Sequence, residues 1–348
     1  RDWSSDVCSS DLTITADLPD PSVYGQYYAV TVSVDAVSPG NGIPTGTVAV
    51  SDGANSCSII LSGGTGSCIL PSPTPGSKTI SAIYTESNFF LGSSTTATHT
   101  VNKADTSTLV TRSVVSPVFG QPLSLSADVS VLSPGSYTPS GPVQFYMDGQ
   151  PFGSTVSLSS GSASSIATTG LNAGEHTYYA DFLGDANNNA SSTLPAANFT
   201  IAKNETSISV VSSNASSVYG QPIQLTATVD EIVPSVVTPV GNVQFYFNGA
   251  EIGSPVALDE GVALSADLHT LVPPEYLLAD HIVVGEYTFS AEYLGNSNSV
   301  GSISSVEDQV ITPAATEVTI SSSENPSVYG TNLNMTIKVT QQTESLTI

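Results

Sequence analysis

Apolar and polar residues alternate with a period of two in several stretches of the chain. Tyr28, Val30, Val32 and Val34 alternate with Ala29, Thr31 and Ser33. Leu123, Leu125, Ala127, Val129 and Val131 alternate with Ser124, Ser126, Asp128 and Ser130, and Ile223, Leu225, Ala227 and Val229 form a third set. This period sends every second side chain to the same face, so each stretch predicts a β-strand with one side in a core and the other in water. A second strand follows each, carrying Val48 and Val50, then Val143, Phe145 and Met147, then Val243, Phe245 and Phe247. Asp52-Gly53, Asp148-Gly149 and Asn248-Gly249 end these strands with the residues that a tight hairpin turn requires. A later strand sets a small residue between large ones: Ile80, Ala82 and Tyr84; Tyr178, Ala180 and Phe182; Phe289, Ala291 and Tyr293. That texture suits two sheets packed about 10 Å apart. With six or seven strands per unit and a helical period only around residues 271–282, the pattern predicts an all-β sandwich, a barrel being the alternative.

The strands come in repeats. Pro21-Ser22-Val23-Tyr24-Gly25-Gln26 returns as Ser116-Pro117-Val118-Phe119-Gly120-Gln121, Ser216-Ser217-Val218-Tyr219-Gly220-Gln221 and Pro326-Ser327-Val328-Tyr329-Gly330-Thr331. Domain-sized spacing between copies predicts an array of one module. The expected modules are residues 13–102, 103–203 and 204–313, with an insertion near 271–282 read as a loop, and a truncated fourth module at 314–348. The connectors at 101–106, 201–206 and 311–316 are short, so successive modules should sit end to end as an extended array, each adding on the order of 35 Å. Residues 1–12, which hold Trp3 and Cys8, lack the Ser/Thr and valine texture of the repeats and resemble translated sequencing-adapter read-through. They are set apart from the fold as a non-native segment. With no initiator methionine and an end in mid-module, the chain is expected to be a fragment of something longer.

Charge changes the picture of partners. Six Lys plus Arg against thirty Asp plus Glu give a net charge of −24. Without a basic patch to neutralise phosphates, nucleic acid is excluded as a partner, and anionic lipid is disfavoured for the same reason. The sequence carries no membrane-inserting segment.

Candidate chemistry is sparse. Cys57 and Cys68 flank a glycine-rich stretch expected to be a hairpin, and a cross-strand disulfide there would contribute roughly 3 kcal/mol. Free buried thiols and a two-cysteine metal site are the alternatives. A disulfide would place the protein outside the reducing cytosol. His99, His176, His269 and His281 have no nucleophile-elbow, metal-pair or phosphate-loop context and read as structural or surface residues. Scattered carboxylates argue against a glycosidase pair. The loop Gly184-Asp185-Ala186-Asn187-Asn188-Asn189 offers part of a calcium shell, or else a solvated turn. Tyr146 and Tyr246, beside inward Phe145 and Phe245, are the candidates for a glycan-binding face.

The Tyr/Phe-Gly-Gln phrase, Pro44-Thr45-Gly46-Thr47-Val48 with its echoes at 139–143 and 239–243, Leu171-Asn172-Ala173-Gly174-Glu175-His176-Thr177, and Ala180-Asp181-Phe182-Leu183-Gly184-Asp185-Ala186-Asn187 together resemble the bacterial immunoglobulin-like (Big) domain repeats of secreted and surface-attached proteins. The first unit departs from the last of these motifs at Tyr84-Thr85-Glu86-Ser87-Asn88-Phe89, and the third carries Gly295-Asn296. The resemblance implies tandem Ig-like β-sandwich domains, and a cystine like Cys57–Cys68 occurs in some members. It also implies an extracellular or cell-surface location and a non-catalytic stalk or spacer that contributes to adhesion. Cell-surface or extracellular-matrix components are then the expected partners, and no cofactor is expected. The alternatives are modules that bind a glycan or other ligand directly, or accessory repeats of an enzyme whose catalytic domain lies elsewhere.

Overall fold

The computed structural model describes residues 7–341; Trp3 lies outside the described residues. By main-chain proximity the chain divides into two compact units. One takes the chain up to Val115 with Leu123–Ala167 and Glu175–Phe199, the other Ser116–Pro122, Thr168–Gly174 and the chain from Thr200 on.

Eight strands build the first sandwich: β1 (Ser10–Leu18), β2 (Ser22–Val23), β3 (Tyr27–Ala36), β4 (Thr47–Ser51), β5 (Ser56–Ile60), β6 (Thr65–Pro71), β7 (Gly76–Tyr84) and β8 (Ser93–Asn102). They form a three-stranded sheet β1-β3-β6 and a five-stranded sheet β2-β8-β7-β4-β5. Every inward residue of the alternating pattern, Tyr28, Val30, Val32, Val34, Val48, Val50, Ile80, Ala82 and Tyr84, is at most 1% exposed. Two sheet faces thus meet in one dry layer.

The same arrangement recurs. In the second set, β9 (Thr106–Arg112), β10 (Leu125–Val131) and β14 (Ser162–Ser164) make one sheet. The other is built on β11 (Pro142–Met147) and β15 (Gly174–Phe182), with β12 (Gln150–Pro151), β13 (Val156–Ser157), β16 (Ser191–Ser192) and β17 (Ala197–Ile201). In the third, β18 (Thr206–Ser212), β20 (Leu225–Glu231) and β23 (Val262–Leu264) face a sheet ordered β19 (Ser216–Val218), β28 (Glu307–Thr312), β26 (Gly285–Tyr293), β21 (Asn242–Phe247) and β22 (Ala250–Ala257), with β27 (Ser302–Ile303) on β26. Registers repeat: Val48 pairs with Tyr84, Val143 with Phe182 and Val243 with Tyr293. The chain is all-β, built of tandem sandwiches.

In its first three copies the repeated phrase is a turn closed from both sides. Gln26, Gln121 and Gln221 donate their main-chain N–H to the carbonyls of Val23, Val118 and Val218 at 2.8, 3.1 and 3.0 Å. Their side-chain oxygens accept the N–H of the same valines at 3.0, 3.2 and 3.2 Å. The glycine between lies at φ +83°, +77° and +87°, the left-handed region where a β-carbon is strained.

Three features differ from the sequence expectation. Residues 8–12, set apart above, enter the fold. Ser10, Asp11 and Leu12 pair with Ala36, Asp35 and Val34, and Leu12 is buried. Cys8 donates its N–H to Phe89 O and accepts from Leu91 N–H, each at 2.8 Å, as Ala104 does with Asn187 and Asn189 at 3.0 and 2.8 Å. Asn204 repeats the pattern with Asn298 and Val300 at 3.0 and 2.9 Å. Main-chain bonds hold this lead-in, so its side chains carry little apolar signature.

The insertion of the third unit is more than a loop. It folds as a helical turn α1 (Leu268–Leu271), a 3-10 turn (Pro274–Tyr276) and a small hairpin of β24 (Leu277–Leu278) and β25 (His281–Ile282). Leu268, Val272 and Ile282 are drawn into the core, which gives the segment its structure. The hairpin turn of the first unit differs as well. Asp148, Gly149, Asn248 and Gly249 all have positive φ, but of the first pair only Gly53 does. Asp52 instead donates its N–H to Asn55 O at 3.1 Å, and its carboxylate accepts from Ala54 and Asn55, closing a longer turn.

β29 (Thr316–Ser322) and β30 (Met335–Gln341) pair antiparallel in the register of β18 and β20. Val318, Ile320, Met335, Ile337 and Val339 are all more than half exposed.

Candidate functional site

A dense polar cluster lies in the first sandwich, where Asp17 near the end of β1 and Asp20 just after it meet His99 on β8. His99 is fully buried, its ring stacked on Tyr28 with centroids 3.8 Å apart. Its Nδ1 lies 3.3 Å from Asp17 Oδ2 and 3.5 Å from Asp20 Oδ1. Carboxylates accept, so Nδ1 faces them as the donor, and Nε2 lies 2.8 Å from the Ser22 hydroxyl. Ser22 Oγ is in turn 2.7 Å from Ser72 Oγ.

A Ser-His-Asp chain of hydrogen bonds has the connectivity of a nucleophilic triad. Here Ser22 and Ser72 are both at 0% exposure, so no substrate reaches the hydroxyl. Among the described residues, Asp17, Asp20 and His99 also bring three ligand atoms close enough for a metal ion. Those atoms are already partnered within the protein, since Asp20 Oδ1 also accepts Thr100 N–H at 2.9 Å. Tyr28 donates its hydroxyl to Asp52 Oδ2 at 3.2 Å, and burial, then the Asp52 charge, push its phenol far above the usual range. Burial pushes Asp52 up too, but the N–H donors of Asn55 and Ala54 outweigh it and hold the carboxyl below its usual range.

At the equivalent place in the other sandwiches the chemistry changes. Arg112 lies over the Phe199 ring at 4.6 Å, whereas Gln309 Nε2 reaches Ser217 Oγ at 3.3 Å. One position on the last strand therefore carries imidazole, phenyl or amide, each with its own partner, as a packing position does.

The Asp185 loop is a closed turn. Asp185 Oδ1 accepts from the N–H groups of Asn187 and Asn188 at 2.8 Å each, and Oδ2 accepts from Ser140 N–H at 3.1 Å. The Asn188 side-chain amide adds bonds of 3.0 and 3.1 Å. Burial pushes the Asp185 carboxyl up, but these donors outweigh it and hold it below the usual range. Asn296 does the same in the third sandwich, its Oδ1 accepting from Asn298 and Ser299 N–H at 2.7 and 2.8 Å. Ser87 does so in the first, with Phe90 N–H at 3.2 Å. Aspartate, asparagine and serine share one task, so a negative charge is not what the position needs.

Tyr146 stacks on Tyr179 with centroids 4.3 Å apart and planes 5° from parallel, so each ring spends one face on the other. Tyr246 instead faces Ser290 and donates to Glu292 Oε2 at 2.8 Å; that bond, then burial, pushes its phenol up to about 12. The two candidate tyrosines thus have different surroundings and do not make a repeating aromatic platform.

The remaining histidines are held locally. His176 Nδ1 is 2.7 Å from Asp148 Oδ2, and His269 Nδ1 is 2.8 Å from Asp267 Oδ1. The rings of His269 and His281 meet edge to face at 5.1 Å. An apolar cleft of about 580 Å³ in the second unit is lined by Tyr219, Leu278, Val283, Val284, Pro313 and Gln341 among others. Among the described residues of its lining, Tyr219 alone is ionisable.

Cys57 and Cys68 form a disulfide with Cα atoms 6.2 Å apart. β5 pairs with β4, however, and β6 with β3, so the bridge joins the two sheets and is not the cross-strand link of one hairpin. Only the Ser62–Thr65 bridge at the glycine turn pairs the two segments directly.

These observations define a tandem array of Ig-like β-sandwiches whose polar clusters are mostly spent on internal bonds. The sequence profile of the bacterial Ig-like domain (group 3) matches residues 110–202 and 210–312, more than half of the chain. The chain belongs to this family. No curated protein matches the sequence. Among solved structures, it is similar to FdeC, an Escherichia coli adhesin, at 15% identity over 88% of this chain and 97% of that one, TM-score 0.25. It is similar to the Yersinia pseudotuberculosis adhesin InvE at 17% identity over 55% of this chain and 58% of that one, TM-score 0.30. Domains A168–A170 of titin give 12% identity over 88% and 100%, TM-score 0.33. At these scores the likeness carries no argument about role. Among the described residues no helix is long and apolar enough to cross a membrane.

Proposed function

We propose that the chain is a non-catalytic, extracellular stalk or spacer of a bacterial surface or secreted protein, and that it contributes to adhesion to cell-surface or extracellular-matrix components. Modules at 13–102, 103–203 and 204–313, with a further partial one at 314–348, are the units of that stalk. The contacts of Cys8 support extending the first module back to that residue. The observation that carries the reading is the threefold use of one closed sandwich with different buried side chains in the same places. What recurs is the sandwich scaffold, and among the described residues no reactive group recurs with it. The disulfide and the net charge of −24 suit an oxidising, soluble setting.

Small-angle scattering on the full chain tests it. A stiff, elongated particle unchanged by calcium is expected; a flexible chain, or one that straightens only with calcium, would overturn the passive stalk. A second reading, direct glycan binding, is favoured by the half-exposed Tyr146–Tyr179 pair of the second module alone. Glycan-array binding by the full chain that Tyr146→Ala abolishes would establish it.

A further inference from the structure

The repeated phrase does more than turn the chain within its own module. Inside one compact unit, Tyr24 O and Gly25 O accept from Ser136 N–H and Ser136 Oγ at 3.3 and 2.7 Å. The Tyr24 and Tyr137 rings lie 5.1 Å apart. Inside the other unit, Gly120 O accepts from Val236 N–H at 3.2 Å. Residues 136 and 236 occupy the same place, the loop that follows the strand β10 or β20 of the next repeat.

The approach is close on both occasions. A β-carbon on Gly25 would come 2.4 Å from Ser136 Oγ and 2.6 Å from Ser136 N; one on Gly120 would come 2.4 Å from Ser235 Oγ and 3.1 Å from Val237 side-chain atoms. At Gly330, in the fourth copy, a β-carbon would meet nothing within 4 Å. The crowding therefore comes from the seated loop and not from the turn itself. The third phrase is met by the following repeat too, Gln341 Nε2 donating to Tyr219 O at 2.9 Å.

We propose that the Tyr/Phe-Gly-Gln phrase is an interaction surface for another module of the same kind, a main-chain socket that takes the loop at residues 133–137 or 233–237 of the next repeat. Its partner is recognised by carbonyl acceptors and by the absence of a side chain at the glycine. Both are features of the backbone, so one socket takes loops as different as Ser133-Pro134-Gly135-Ser136-Tyr137 and Val233-Pro234-Ser235-Val236-Val237. The joint between modules is then a seated contact and not a free linker, which deepens the stalk reading above.

Hydrogen exchange by mass spectrometry on the full chain tests the joint. The Val236 amide, whose acceptor is in the preceding module, is expected to exchange about tenfold slower than an open loop amide. Gly120→Ala should remove that protection while the amides of β20 and β21 keep theirs. If Gly120→Ala disturbs the second sandwich itself, seen as lost protection in β11, Ser235→Leu carries the test, because it crowds the same contact from the other side. Open-loop exchange at Val236 in the wild type, or unchanged protection in the variant that keeps its strands, would overturn the proposal. Scattering reports on the whole array and this amide on one joint, so failure of the stalk reading and failure of the socket are told apart.

Discussion

Replacing Asp185 separates a structural turn from a metal loop. In Asp185→Ala the N–H groups of Asn187, Asn188 and Ser140 lose their acceptor, and Asn188 is only 2% exposed, so water replaces the lost bonds poorly. A buried donor left without a partner costs about 1–3 kcal/mol, and the exposed ones cost less, so a loss of about 2 kcal/mol in the second sandwich is expected. Asp185→Asn keeps one oxygen in place, as Asn296 does for Asn298 and Ser299, and should cost under about 1 kcal/mol. Because an array does not unfold in one two-state step, the assay is denaturant-dependent hydrogen exchange resolved for strands β11 and β15. Acid gives a second reading. Asp185 has its carboxyl held low in the folded state, so its contribution is present above the unfolded value of about 4 and is lost as pH falls toward the folded one. Wild type should therefore weaken in that window and Asp185→Asn should lack this component. An alanine variant as stable as wild type would refute the reasoning. So would millimolar calcium that stabilises wild type but not Asp185→Asn.

Three further outcomes are expected. Reducing Cys57–Cys68 should weaken the first sandwich by about 3 kcal/mol and leave the others unchanged, as peptide-resolved exchange with and without reductant would show. His99→Gln should be tolerated, because Gln309 makes the same kind of bond to Ser217, whereas His99→Leu strands Ser22 and Asp17 and should cost about 1–3 kcal/mol by thermal denaturation. Phe245→Ala should open a cavity in the third core and cost about 3–5 kcal/mol, with the first sandwich unaffected.

Much of the fold was legible because burial in a sandwich follows a period of two. Val30, Val32 and Val34, or Phe245 and Phe247, are inside because their alternation says so, and the glycine spacing revealed the repeat. What escaped was whatever main-chain or long-range contacts decide. The lead-in at Cys8 is held by backbone bonds to Phe89 and Leu91, with Ser10 Oγ reaching Leu91 O, none of which marks the local sequence. His99 meets Asp17 and Ser22 across 82 and 77 residues, so it read only as a structural or surface histidine. Cys57 and Cys68 announced a pair, but which sheet each strand joins is decided by β4 and β3. The phrase was legible as a turn; its second use depends on a loop about 110 residues away, as in the bond from Ser136 to Gly25.

The buried partners of the first and last strands have a bearing on errors of assembly. Neighbouring modules with nearly the same backbone are prone to exchange strands. In this chain such an exchange would set the Arg112 cation against the buried imidazole of His99, or leave the Asp17 carboxylate facing the Phe199 ring. The first takes Arg112 off its aromatic ring, and the second takes from Asp17 the His99 partner that the correct pairing supplies. The dissimilar pairs thus act as an address that tells each first strand which last strand is its own.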